Sequence, residues 1–175
     1  MKMTSLSGGE FTLRRLALAD WTLLKNVRLE ALSKEPKVFG GSLVNESSLP
    51  DDYWKNGLSE LGKAYFGLFS DEDCVGLTGI FRHRELSDAA ILVASYIRKA
   101  HRGKGLSSLF YEARIDWAKV NQVKKIIVSH REGNVVSKAA NQKFGFVYTH
   151  SEDKVWPDGE ADQNVFYELN LMEPL

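Results

Sequence analysis

The sequence has one cysteine, Cys74, so no disulfide can form within the chain and a small disulfide-held fold is excluded. It has no excess charge of either sign: 23 Lys and Arg balance 23 Asp and Glu. Broad binding to nucleic acid or to an anionic membrane therefore has no basis in bulk charge, and any electrostatic function must be local. No apolar run reaches the roughly 18 residues that a membrane helix needs, and MKMTSLSGGE lacks the apolar core of a secretory leader. A cytoplasmic protein is expected, with no metal site and neither membrane nor nucleic acid as partner. The phosphate-binding pattern G-x-x-x-x-G-K-[ST] is also missing.

What is present is enough for one core. Length and composition predict a single domain over residues 1–175, with its core at about 11–171. FTLRRL (11–16) partly alternates and reads as a strand. Asp20 suits the N-cap of a helix in which Leu23, Leu24, Val27 and Ala31 recur at helical spacing and which Pro36 ends. KVFGGS (37–42) reads as a loop and PDDYWKNGL (50–58) as a short helix. AYFGLF (64–69) and VGLTGIF (75–81) flank the turn SDEDC as a hairpin, with Cys74 a small buried apolar residue. AAILVASYI (89–97) and KIIVSH (125–130) are apolar runs expected to be strands buried on both faces. Between them Leu106, Leu109, Phe110, Ala113, Trp117 and Val120 mark an amphipathic helix, with Arg114 among the charges placed off the stripe. Asn134 is expected to cap a helix with Val136, Ala139 and Ala140 inward, closed by Gly145. FVYTH (146–150) and VFYELNL (165–171) read as the last strands, with SEDKVWPDGEADQ as a loop between them. This order predicts one mixed sheet with helices on its faces and a β-α-β crossover over 89–130.

The stretch HRGKGLSSLF (101–110) carries the strongest functional signal. Gly103 and Gly105 remove two side chains from a strand-to-helix turn, so backbone can wrap closely around a ligand. The helix that follows points free N–H groups and its positive end into that turn, and Arg102 and Lys104 add full charges. Phosphate or pyrophosphate is the natural guest. A dinucleotide fingerprint fits poorly, since Ser108 stands where its third glycine belongs and the run starts six residues after the strand.

RGKGLS (102–107) resembles the [RQ]-x-x-G-x-[GA] motif of the GNAT superfamily, the acetyl-CoA-dependent N-acetyltransferases, with Ser107 in place of the usual Gly or Ala. Thirty-two residues past Arg102, NVVSKAANQKFGF (134–146) is similar to the family's N-x-x-A-x-x-L-Y-x-K-x-G-F signature, matching at Asn134, Lys143, Gly145 and Phe146, with Ser137 a near match. RLEALSKEPKVFG (28–40) resembles a further family pattern, R-L-x-A-L-x-x-x-P-x-x-F-G. The resemblance implies an α/β (α+β) GNAT fold: a central mixed, mostly antiparallel sheet with two splayed parallel strands and about four flanking helices. It implies acetyl-CoA as cosubstrate and transfer of its acetyl group to a primary amine of a small molecule or a protein. A non-catalytic acyl-CoA-binding module of the same fold is the alternative, and a monomer or a homodimer would suit either.

The same resemblance places the cosubstrate on Tyr96, Ile97, Arg102, Gly103, Lys104, Gly105, Leu106, Ser107, Asn134, Asn141 and Lys143. Backbone at Tyr96 and Ile97 would pair with the pantetheine arm, the Ile97 N–H would serve as oxyanion donor, and amides of 102–107 would hold the pyrophosphate. Asn141 stands where the family often has a Tyr acting as general acid; an amide cannot deliver a proton but can donate a hydrogen bond to sulfur. A thiol with a pKa near about 8.5 is already a fair leaving group. For the general base, Glu46 is the first choice, with His83, Glu85, His130 and Glu132 as others. Phe39, Glu46, Tyr53, Trp54 and His83 are the expected acceptor pocket.

Overall fold

The computed structural model describes residues 4–5 and 10–171. Most of MKMTSLSGGE lies outside them. In chain order the elements are β1 (Thr4–Ser5), β2 (Phe11–Arg15), α1 (Trp21–Lys34), α2 (Leu43–Ser47), α3 (Asp51–Ser59), β3 (Lys63–Ser70), β4 (Asp73–Arg82), β5 (Ala89–Ile97), α4 (Ser107–Val120), β6 (Lys125–Arg131), α5 (Val135–Lys143), β7 (Val147–Val155) and β8 (Ala161–Asn170). They form one sheet in the order β1-β2-β3-β4-β5-β6-β8-β7. Every pair is antiparallel except β5 with β6. This is the mixed sheet expected from the element order and the mostly antiparallel one that the family resemblance implies, with α2 as an additional helix.

Two apolar clusters cover the two faces of the sheet. Ala64, Phe66 and Leu68 of β3 pack with Leu109, Phe110 and Trp117 of α4. Leu24, Val27, Ala31 and Leu32 of α1 pack with Trp54 of α3 and with Leu77 and Tyr96. The period of two along a strand is what lets β3 serve both faces. Cys74 is buried as expected, and burial pushes its thiol up to about 11.

Several details differ from the sequence reading. Asp20 precedes α1 but makes no cap bond there; its carboxylate accepts from Ala17 N–H and Arg14 instead. Arg14 outcompetes the helix amides because a charged pair of hydrogen bonds is the stronger option. Val120 is exposed, whereas Arg114 is buried at 1% exposure on the apolar stripe, four residues after Phe110. Val136 and Ala139 face solvent, and α5 instead buries Asn141. Much of the expected loop 151–163 is strand: β7 runs to Val155, β8 starts at Ala161, and the turn is 156–160. The alternation was masked because β7 is a two-sided, solvated edge strand with nearly every residue exposed.

β5 and β6 are also less covered than their apolar runs suggest. They pair only at Ala89, Ala90 and Ile91 with Lys125, Ile126 and Ile127. Beyond that the strands part. In the β4–β5 ladder Gly79 faces Val93 and Leu77 faces Tyr96, so Ala94 and Ser95 together oppose Thr78. Ala94 takes φ 57°, a left-handed conformation that a side chain disfavours. This bulge bends β5 away from β6 and opens a V in the sheet.

Candidate active site

A cavity of about 320 Å³ lies in the V. Its walls are Leu92, Val93, Ala94 and Ser95 on β5 and Val128, Ser129 and His130 on β6. From the α4 face come Tyr111, Arg114, Asn134, Ser137 and Asn141; from the α1 face come Arg28, Val38, Phe39, Gly40 and Gly41. The β7–β8 hairpin adds Lys154, Trp156 and Asn164. The opening thus passes through the sheet, with one mouth on each face.

The glycine turn behaves as its sequence suggests. Gly103 and Gly105 have φ of +75° and +73°, and a Cβ on either would meet nothing within 4 Å. The N–H groups of Gly103, Lys104, Gly105 and Leu106 find no acceptor among the described residues, and α4 begins at Ser107. Four successive free donors at a positive helix end form an anion cradle. Arg102 fixes the cradle: its guanidinium donates to the Ile97 carbonyl at 2.7 Å and to Glu35 at 2.7 Å. Leu106 is buried and anchors the turn from below. Lys104 holds its ammonium 5.2 Å over the Phe11 ring.

Asn134 caps α5, its Oδ1 accepting from Ser137 N–H at 3.1 Å. Gly145, with φ +84°, closes the same helix. Asn141 is 1% exposed. Its Oδ1 accepts from Tyr111 Oη at 2.6 Å, which leaves Nδ2 as a buried donor without a partner on the cavity wall. Burial raises the Tyr111 phenol, so it keeps its proton and the bond keeps its direction. Arg114 donates to Phe110 O at 2.9 Å and to Ser95 Oγ at 2.7 Å, tying α4 to the bulge. It meets no carboxylate among the described residues, and burial pushes its pKa down to about 10.

His130 is buried beside Tyr167, with ring centroids 5.4 Å apart. Its Nδ1 faces the Arg131 carbonyl at 2.8 Å, so Nδ1 carries a proton, and in the neutral ring the lone pair is on the unpartnered Nε2.

The structure does not bring all of the expected site together. Tyr96 and Ile97 lie past the cavity wall, toward the glycine turn. The Arg98 N–H bonds the Val75 carbonyl, so by the alternation of an antiparallel ladder Ile97 N–H faces the open edge of β5. Tyr96 Oη donates to Glu30, and burial with that carboxylate raises the phenol to about 12. Lys143 is exposed in the last turn of α5, its ammonium over the Phe144 ring.

Of the expected acceptor pocket, only Phe39 is on the wall. Glu46 is off it, and both its oxygens accept from Arg28, at 2.9 and 2.7 Å. A Cβ on Gly41 would strike that carboxylate. Tyr53 is half exposed on α3, and Trp54 is 2% exposed inside the α1–α3 core. His83 sits at the closed end of the V, its N–H on the Ala89 carbonyl. Glu85 and Glu132 are absent from the wall. No Asp or Glu lines the cavity among the described residues.

The wall residues that sequence reasoning passed over are Arg28, Ser95, Arg114, Lys154, Trp156 and Asn164. Arg114 had a readable signal, a lone charge at i+4 from Phe110 and i−3 from Trp117. Lys154, Trp156 and Asn164 had none, because a hairpin paired far along the chain delivers them.

A family model described as Acetyltransferase (GNAT) family matches residues 27–146. Solved structures share the fold at low identity. An acetyltransferase of the GNAT family from Streptococcus pneumoniae is 17% identical with a TM-score of 0.78, covering 93% of this chain and 100% of that one. The yncA protein of Salmonella typhimurium, solved with its cofactor acetyl-CoA, is 18% identical with a TM-score of 0.77, covering 100% and 97%. A ribosomal-protein-alanine N-acetyltransferase from Brucella melitensis is 19% identical with a TM-score of 0.76, covering 91% and 99%. No curated protein matches the sequence.

Proposed function

From the premise that the chain belongs to the GNAT family of acetyltransferases, we propose that it moves the acetyl group of acetyl-CoA onto a primary amine by direct attack in a ternary complex. The observation that carries this reading is the V between β5 and β6, which leads from a cavity to the donor-rich turn at 103–106. The family's cosubstrate is acetyl-CoA, and the residues fit it. The open edge of β5, Ile97 N–H included, pairs with the pantetheine amides as an added strand would. The free amides of the turn take the pyrophosphate.

In the transfer step the amine nitrogen bonds to the thioester carbon, the C–S bond breaks, and the thiolate leaves. The bulge at Ala94 releases backbone N–H from the ladder beside the cavity, and we place the oxyanion donor there rather than at Ile97. Asn141 Nδ2 donates to the departing sulfur, while Tyr111 holds the amide in that orientation. His130 Nε2 is the lone-pair acceptor on the wall that can take the amine's proton, directly or through one water. Glu46, saturated by Arg28, holds that guanidinium at the α1 mouth instead of serving as base.

One observation favours the alternative of a non-catalytic acyl-CoA module: no carboxylate lines the cavity among the described residues. A two-step experiment separates the readings. Thermal shift with acetyl-CoA, CoA, NADP and ATP identifies the guest of the turn; a ligand at 100 times its Kd adds about 2.7 kcal/mol. Thiol release from acetyl-CoA across an amine panel then tests transfer. A shift with the CoA pair and amine-dependent release supports the enzyme. A shift without release leaves the binding module. A shift with NADP or ATP alone overturns both.

A further inference from the structure

The α1 mouth of the cavity is built for negative charge. Lys154 lines it and makes no ion pair among the described residues. Its ammonium lies 4.4 Å over the Trp156 ring and 3.0 Å from where a Cβ on Gly40 would stand. Trp156 is 4% exposed, and its Nε1–H, a group that can only donate, has no partner. The Arg131 guanidinium sits 5.3 Å from the same ring but is already bound to Asp158 at 2.7 Å and Asp162 at 3.0 Å. Arg28 gives two of its nitrogens to Glu46 and keeps Nη1. Asn164 Oδ1 is buried and unpartnered on the same wall.

Resting on the acetyltransferase reading, we infer that the acceptor is a small primary amine that carries a carboxylate, of amino-acid type. Lys154 and the Trp156 indole N–H hold the carboxylate, Arg28, its charge balanced by Glu46, adds only its spare Nη1 donor, and Asn164 is placed to accept from the amine. A wall without Asp or Glu gives a second ammonium group nothing to pair with, so polyamines and aminoglycosides meet like charge and lose. A volume of about 320 Å³, shared with the acyl end of the cosubstrate, suits a single small molecule.

The test compares kcat/KM within matched sets: phenylalanine, its amide and phenethylamine; leucine, its amide and isoamylamine; lysine and cadaverine. The amides keep shape while removing charge. The acid should lead its set by tenfold or more, expressed in KM. Lys154→Gln should bring the acid-to-amide ratio close to one, and Lys154→Glu should invert it. Equal or better turnover of the amides and cadaverine, or a wild-type ratio in Lys154→Gln, overturns the inference. If no amine of any kind releases thiol, the transfer reading falls, and the site is judged by binding to the CoA-loaded protein. Melting-temperature shifts with the acids and none with the amides then sustain it; no difference overturns it.

Discussion

Arg114 carries a charge at a place where charge is costly. It is fully enclosed, and its described partners are a carbonyl, a hydroxyl and the Tyr111 ring at 4.8 Å. Burying an ion without an opposite charge destabilises a fold, so the residue is retained for what it positions. Arg114→Met should leave the melting temperature unchanged or raise it, yet lower kcat about tenfold or more, because the bulge at Ser95 loses its anchor. A kcat equal to wild type would reduce Arg114 to a packing residue. Asn141→Ala should lower kcat by about tenfold or more with little change in CoA affinity, since Nδ2 meets the sulfur only as charge develops there. Calorimetric Kd for CoA beside steady-state rates separates the two effects. Gly105→Val acts in the opposite sense. Its φ of +73° costs a branched residue roughly 1–2 kcal/mol, and the added side chain projects into space that is otherwise open. CoA affinity should fall by tenfold or more while the circular dichroism spectrum stays that of the wild type.

At the scale of elements, α1 is tied to the end of β5 by one polar network. Arg98 donates to Glu30 at 2.8 and 2.9 Å and to Asp73 at 2.7 Å, and Tyr96 Oη adds a bond to Glu30 at 2.9 Å. Those hydrogen bonds, Arg98 first, hold the Glu30 carboxyl below its ordinary range, and Arg14 does the same for Asp20. A carboxyl whose folded pKa is depressed contributes stability above its unfolded value, about 4, and loses it as pH falls through the folded one. The urea midpoint should therefore be flat from neutrality down to the ordinary carboxylate range and fall below it. Glu30→Gln should lower the plateau and shallow the acid decline; a decline identical to wild type would remove Glu30 from the account. The same network sets the start of the glycine turn, so the variant should also weaken CoA binding.

Across the whole molecule, the sheet is two parts joined at a narrow seam. Five strands on one side of the V and three on the other meet only through Ala89, Ala90 and Ile91, with α4 bridging beneath. A ligand that pairs with the open edge of β5 spans that seam. Hydrogen exchange should slow on adding CoA at residues 92–97 of β5 and 128–131 of β6 as well as at 103–107, because the seam opens less often when filled. Protection confined to 103–107 would mean that the phosphate end binds and the V does not.

Short-range chemistry was legible along the chain. The β3–β4 hairpin, the α4 stripe, the caps at Asn134 and Gly145 and the glycine turn each depend on neighbours within a few residues, and their spacing is written in order. The family signatures at 102–107 and 134–146 are of this kind too, so fold and cosubstrate could be read early. The acceptor side could not. Glu46 looked free until Arg28, eighteen residues away, was found on both its oxygens. Lys154, Trp156 and Asn164 reach the cavity only because β7 pairs with β8, and β8 with β6, at the observed register. Arg114 was misplaced because helical period fixes a face but not what fills it. The sequence alone determined most of the elements, the family and the glycine turn with its open donors. The tertiary structure decided the charge that lines the cavity, because that depends on which distant side chains share one cavity and which have already spent their charge on each other.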